Sequence, residues 1–149
     1  MGKGEPDVSA SAEAPVPGVT TVDCVWAPAD ARPSVSVSVA LYPDGFPPAG
    51  EGAGNARHFY DGLRAEADRD AAEPSAHVAV ADESRGFSAA YAPTGSLSRT
   101  VLADNAVVTV VVRPRTGADA DLDRLARRLL ERVAPDAGVL ADQVVAALR

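Results

Sequence analysis

The sequence predicts an α+β fold with two layers, in which an antiparallel sheet of about six strands packs against helices and a C-terminal helix covers the sheet. Three observations predict it. The stretch "SVSVSVAL" alternates strictly, short β-branched segments are separated by turn residues, and apolar residues recur at helical spacing near the C-terminus. A length of 149 residues and a hydrophobic fraction of 46% suit a single domain.

The first segment, residues 1–18, has almost nothing to bury. It reads "MGKGEPDVSASAEAPVPG" and consists mainly of Pro, Ala, Ser, Gly and acidic residues. This composition predicts a disordered tether that links a domain at residues 19–149 to an upstream anchor. The alternative is a ragged end without a role.

Two strands are expected to follow. The first runs from Val19 to Trp26, where β-branched residues cluster before Pro28. The second is the alternating stretch that begins at Ser34, whose apolar and polar side chains point to opposite faces. The apolar set is Val35, Val37, Val39 and Leu41, and the polar set is Ser34, Ser36 and Ser38. One buried and one solvated face is typical of an antiparallel sheet.

A loop and a helix come next. The stretch "PDGFPPAGEGAG" contains four Gly and three Pro, which predicts a loop from Pro43 to Gly54. A helix is predicted from Asn55, as N-cap, to Asp70. Its apolar stripe is Phe59, Leu63 and Ala67.

Four short strands then alternate with turn segments. Their predicted bounds are His77–Ala81, Phe87–Ala92, Leu97–Leu102 and Ala106–Arg113. The last of them, "AVVTVVVR", is apolar on both sides. This pattern favours a central strand that is covered on both faces, or one whose second face lies under a helix.

The C-terminal region is predicted to be helical from about Asp119. Its apolar stripe consists of Leu122, Leu125, Ala126, Leu129 and Val133, and a final segment continues with Leu140, Val144 and Leu148. Acidic residues crowd the start of this helix and arginines its end, which is the order that the helix dipole favours.

The charge and hydropathy patterns argue against several functions. A net charge of −7 leaves no basic surface for nucleic acid or for anionic lipid. No apolar run approaches the roughly 18 residues of a membrane span, so direct membrane insertion is not expected. Only Lys3 among the 14 basic residues is not Arg, a bias typical of a GC-rich genome such as that of an actinobacterium.

The one cysteine, Cys24, lies two positions before the one tryptophan, Trp26. A nucleophilic thiolate needs a nearby imidazole, a cation or a helix N-terminus, and only His58 or His77 could supply an imidazole. Zinc would need three or four ligands at a recognisable spacing, which the chain lacks. We therefore interpret Cys24 and Trp26 as packing residues on one strand face, and expect neither a catalytic residue nor a bound metal.

Other polar groups are explained more simply by structure. The acids of "ADADLD" suit a helix start, and the sign-alternating "RAEADRDAAE" suits a solvated helix end. The stripe of Arg124, Arg127, Arg128 and Arg132 is balanced by neighbouring acids, although it could dock an acidic partner. The glycines of "GEGAGN" lack the G-K-[ST] of a phosphate loop, and we expect no cofactor.

The order of these segments resembles a family. "DCVW", the valine strand "NAVVTVVV" and the closing "LARRLLERV" are similar to small cell-envelope lipoproteins and membrane-anchored proteins of actinobacteria, a family of unknown function with a PsbP-like fold. The resemblance implies a location outside the cytoplasmic membrane. Members usually carry a second cysteine that pairs with the first, and this chain has none.

The sequence therefore predicts a non-enzymatic, extracytoplasmic domain that binds an unidentified protein or small molecule. Contact is expected at the loop that contains Phe46, because aromatic loop residues often anchor partners, or at the exposed sheet face. Phe46 could equally fold back onto the core. The alternatives are a cytoplasmic accessory or regulatory protein of the same fold and a thiol-dependent enzyme that uses Cys24.

Overall fold

The structure, a computed structural model, describes residues 7–11, 18–26, 34–83, 85–114 and 121–148, the first of these ranges by its backbone alone. Within these ranges, seven strands form one antiparallel sheet in the order β1-β2-β3-β7-β6-β5-β4. The strands are β1 Asp7–Ser11, β2 Thr20–Trp26, β3 Ser34–Leu41, β4 Val78–Glu83, β5 Gly86–Tyr91, β6 Ser96–Ala103 and β7 Ala106–Arg113. The helices are α1 Gly52–Ala72, α2 Leu122–Arg132 and α3 Ala134–Ala147.

The predicted fold class is confirmed. Strands β2 to β7 are the six strands that the sequence indicates, and the C-terminal helices α2 and α3 pack against the sheet. Helix α1 packs against the opposite face of the sheet, where it contacts β7, β6 and β4. Helices therefore lie on both faces of the sheet, so the α+β class holds with three layers where the sequence predicts two.

Strand β1 lies within the segment that the sequence predicts to be a disordered tether. Residues 7–11 pair antiparallel with β2, with Val8 opposite Cys24 and Ala10 opposite Val22. Residues 1–6 and 12–17, which complete the tether, lie outside the described residues. The prediction fails at β1 because an edge strand can be added through main-chain hydrogen bonds to β2, which needs little apolar side-chain area.

Strand β7 is the central strand, as its unbroken apolar run predicts. Val107 is buried in the cluster beneath α1, whereas Val108 and Val110 are buried beneath α2 and α3. The alternation of β3 is also confirmed, because Val37 and Val39 are buried and the serines between them are only partly so.

Helix α1 begins three residues before the predicted start, so Asn55 is not its N-cap. A Cβ atom at Gly52 would lie only 2.1 Å from the carbonyl oxygen of Tyr42, and glycine is what allows this approach. The face of α1 that contacts the sheet contains Ala56, Tyr60, Leu63 and Ala67. Phe59, which the predicted stripe included, is 40% exposed because it lies at the edge of that face.

The predicted stripe of α2 is confirmed by the burial of Leu125, Ala126 and Leu129. In α3 the prediction is wrong in part. The fully buried residues of α3 are small ones, Ala134, Ala137, Ala141 and Val145. Leu140 and Val144 flank this face and Leu148 is 44% exposed. Small side chains bring α3 close to the sheet, which moves the larger residues to its flank.

Within the described residues, no helix has the length and apolar character needed to cross a membrane.

Candidate functional site

An apolar pocket of about 150 Å³ opens at the surface where the chain leaves β3 and enters α1. We call it the aromatic–proline pocket. Its lining consists of Val19, Tyr42, Pro43, Phe46, Pro47, Pro48, Asn55, His58 and Phe59. Val19 directly precedes β2 and Tyr42 directly follows β3, while the other lining residues come from the predicted loop and from the first two turns of α1.

The base of the pocket is fixed by Tyr42, the residue that follows β3. Its backbone N–H donates to the carbonyl oxygen of Asn105 at 2.9 Å, and the Asn105 side chain donates back to the Tyr42 carbonyl oxygen at 3.1 Å. Asn105 lies in the turn between β6 and β7, so the pocket is anchored to the centre of the sheet. Burial raises the pKa of the Tyr42 phenol to about 12, because the ionised form would be poorly solvated there.

Polar side chains close the loop on itself. The Asp44 carboxylate accepts from the backbone N–H of Gly52 at 2.6 Å, which satisfies one free donor at the start of α1. Asn55 is 6% exposed, and its amide accepts from Ala49 N at 3.0 Å and donates to the Phe46 carbonyl oxygen at 2.8 Å. These bonds give the loop a defined conformation despite its glycines and prolines.

The structure places Phe46, the predicted contact residue, in the wall of this pocket. Its ring lies against Gly18, where an added Cβ would be 2.7 Å from the Phe46 Cζ atom. The residue remains 38% exposed. One part of the ring therefore packs on the chain, as one of the two alternatives expects, while another part faces the pocket and solvent; contact with a partner stays a prediction.

Phe59 forms the second aromatic wall. Its ring centroid is 5.7 Å from that of Tyr42, with the two rings tilted by 40°. A tilted pair at this separation is a favourable aromatic geometry. The pocket is therefore framed by one buried and two exposed aromatic rings, with three prolines beside them and His58 in the lining.

This arrangement suits the binding of an apolar group. A cavity of about 150 Å³ with apolar walls is large enough for a benzene ring. Rings and prolines lose little conformational entropy when they are covered, which favours their use as contact residues. The pocket therefore has the size for one large apolar side chain.

The structure does not bring Cys24 together with either histidine. In the sheet register Cys24 lies opposite Val37, which faces α2 and α3, whereas His58 belongs to α1 on the other face. His77 precedes β4, five strand positions away from β2. At about 4.8 Å per position, this is roughly 24 Å along the sheet.

His77 has a different partner. Its Nδ1 atom lies 2.9 Å from a carboxylate oxygen of Asp123 in the first turn of α2. This contact joins the start of β4 to α2. Cys24 is half-buried on its strand, while Trp26 packs against the core cluster beneath α2 and α3.

Several acidic and basic groups are engaged in local contacts. Asp121 is the N-cap of α2 and accepts from Arg124 N at 3.1 Å, while Asp119 lies outside the described residues. Arg64 contacts both Asp68 and Asp82. Within the described ranges, no three His, Cys, Asp or Glu side chains are grouped so that they could hold a metal ion.

Sequence reasoning identified Phe46 but missed Tyr42, Asn55 and Phe59 as members of its site. The spacing of Phe59 with Leu63 was typical of a core stripe, which concealed its exposure. A usable signal was the concentration of aromatic residues and prolines between Tyr42 and Tyr60 in a chain with an aromatic fraction of only 5%.

Comparison with family models, with curated proteins and with solved structures finds no match for this chain.

Proposed function

We propose that this chain is a non-enzymatic binding domain whose contact surface is the aromatic–proline pocket. The observation that carries the proposal is the pair of exposed rings in the lining of one apolar pocket, Phe46 on a hydrogen-bonded loop and Phe59 on helix α1. Exposed aromatic residues beside a formed pocket are frequent anchors in protein interfaces.

The ligand that fits is a protein segment that presents one large apolar side chain. The pocket accepts a group of about the size of a benzene ring, while the prolines beside it offer a flat surface for the flanking backbone. We further propose that the domain acts outside the cytoplasmic membrane, on the basis of the resemblance to actinobacterial envelope proteins.

The test compares capture of a partner from actinobacterial envelope extract by the wild-type chain and by three variants. Phe46→Ala and Phe59→Ala each remove one wall of the pocket, and we expect each to weaken binding of the captured partner by at least about tenfold. Val139→Ala is the control, because Val139 is 59% exposed on α3, far along the chain from the loop.

Unfolding midpoints in urea establish that the variants remain folded. Equal capture by Phe46→Ala, Phe59→Ala and wild type would remove the pocket from the interface. If only the Val139→Ala variant failed to capture the partner, the binding surface would lie on α3 and not at the pocket.

A further inference from the structure

A second cavity, of about 190 Å³, lies between α1 and the sheet. It shares no lining residue with the aromatic–proline pocket. We call it the hydroxyl pocket. Its lining includes Leu63 and Glu66 of α1, Phe87 and Tyr91 of β5, Thr100 of β6 and Thr109 of β7.

Two threonines form the polar floor of the hydroxyl pocket. Thr100 and Thr109 lie directly opposite each other in the register of β6 and β7. Thr100 is only 3% exposed. Both side chains line the cavity. Thr100 and Thr109 therefore place two hydroxyl groups in its floor, where a ligand can exchange hydrogen bonds with them.

The rim of the hydroxyl pocket is acidic. Glu66 lines it, and Asp70 follows one turn later on α1. Burial raises the pKa of Tyr91, another lining residue, and the charges of Asp70 and Glu66 raise it further, while a hydrogen bond with Ser98 opposes the shift. The guanidinium of Arg64 lies over the Phe87 ring, with its Cζ atom 5.4 Å from the ring centroid, and its charge is balanced by contacts with Asp68 and Asp82.

The walls between floor and rim are largely apolar. Leu63 approaches from α1 and the Phe87 ring from β5, and Phe87 is 2% exposed. A ligand that filled this space would present an apolar body to these side chains, a positive charge to Glu66 and a hydroxyl to Thr100 and Thr109.

We propose that the hydroxyl pocket binds a small organic ammonium compound, in which a compact apolar body separates the ammonium group from a hydroxyl group. The ammonium lies beside Glu66, the body packs between Leu63 and Phe87, and the hydroxyl exchanges hydrogen bonds with Thr100 and Thr109. The cavity is somewhat larger than the ~150 Å³ that accommodates benzene, which suits a single substituted ring.

The test uses three compounds that share one body and differ in charge, added to the ¹⁵N-labelled wild-type chain. Tyramine is cationic, 2-(4-hydroxyphenyl)ethanol is neutral and 3-(4-hydroxyphenyl)propionate is anionic. We expect tyramine to shift the backbone amide signals of Ala67, Thr100 and Thr109, with a Kd on the order of 1 mM. The neutral compound should bind more weakly and the anion should shift nothing.

Variants then assign the two polar contacts. Glu66→Gln should weaken tyramine binding about threefold, while Glu131→Gln, an exposed matched change on α2, should leave it unchanged. Thr100→Val, which keeps the shape and strand preference, should weaken it about fivefold.

If the three compounds bound equally well, the proposed contact between the ammonium group and Glu66 would be refuted. The absence of shifts at Ala67, Thr100 and Thr109 with all three compounds would refute the site. Amide shifts confined to residues of the aromatic–proline pocket would also refute the hydroxyl pocket as the binding site. Both of these outcomes leave the proposed function of the aromatic–proline pocket unaffected.

Discussion

Asn55 is the residue on which the geometry of the aromatic–proline pocket depends most directly. Its amide satisfies the Ala49 N–H and the Phe46 carbonyl oxygen from a position that is 6% exposed. Asn55→Ala leaves both groups without that partner, and we expect it to lower the free energy of unfolding by about 2 kcal/mol. Urea denaturation measures this, with the exposed Gln143→Ala of α3 as control. If Asn55→Ala and Gln143→Ala had the same urea midpoint, the two hydrogen bonds of Asn55 would not stabilise the loop.

Asp121 gives the structure a dependence on pH. The backbone N–H of Arg124 donates to its carboxylate and holds the pKa of Asp121 below its ordinary value. A depressed pKa in the folded state stabilises the fold above the ordinary Asp pKa, and this contribution is lost as the pH falls through the lower, folded-state value. We therefore expect Asp121→Ala to lower the Tm at pH 7.

The difference in Tm between wild type and Asp121→Ala should shrink as the pH falls below the ordinary Asp pKa and through the lower pKa that Asp121 has in the folded state. Thermal unfolding followed by circular dichroism from pH 7 to pH 2 measures it. A difference that stays constant over this range would show that the carboxylate charge has no part in capping α2.

For single residues, the sequence indicated which side chains line the loop better than it indicated which partners they contact. Phe46 was identified because it is an aromatic residue in a Gly- and Pro-rich loop. Asn55 was predicted to be an N-cap, since Asn before a periodic segment is typical of one. Its actual partners, Ala49 and Phe46, follow from the closed conformation of the loop, which residue spacing does not encode.

Helix α1 contains two glycines whose replacement should have opposite effects. At Gly52 an added methyl group would lie 2.1 Å from the Tyr42 carbonyl oxygen, so Gly52→Ala must displace the start of the helix. At Gly62 nothing lies within 4 Å of the added methyl. Because alanine restricts the unfolded chain, Gly62→Ala should stabilise the protein by about 0.5–1 kcal/mol.

We expect Gly52→Ala to destabilise the protein by more than about 1 kcal/mol, which urea unfolding of both variants measures side by side. If Gly52→Ala were neutral, the close contact between the start of α1 and the end of β3 would be disproved. A destabilising Gly62→Ala would instead indicate an unseen contact at the middle of α1.

At the scale of elements, the strands were more predictable than the helices. The period of two in β3 and the unbroken apolar run of β7 follow from whether one or both faces are covered, so they can be read from side-chain type alone. The start of α1 and the buried face of α3 depend on tertiary contacts. Gly52 and the alanines of α3 are buried because the backbone approaches closely, and small residues carry a weak periodic signal.

At the scale of the whole molecule, the sheet separates two environments. The core beneath α2 and α3 holds Trp26, with Cys24 on the same strand face, while both pockets lie on the side of α1. The sequence predicted the α+β class because periodicity determines element type. It did not indicate that α1 lies on the opposite face from α2 and α3, since that choice depends on contacts between distant segments.

Photo-crosslinking in intact cells, with p-benzoylphenylalanine introduced at position 46 or at position 139, tests the aromatic–proline pocket most directly. We expect a crosslinked protein adduct from position 46 that is lost when Phe59→Ala is added, and no such adduct from position 139. An adduct at position 46 that persists with Phe59→Ala, or one formed equally from position 139, would contradict the assignment of the aromatic–proline pocket as the binding surface.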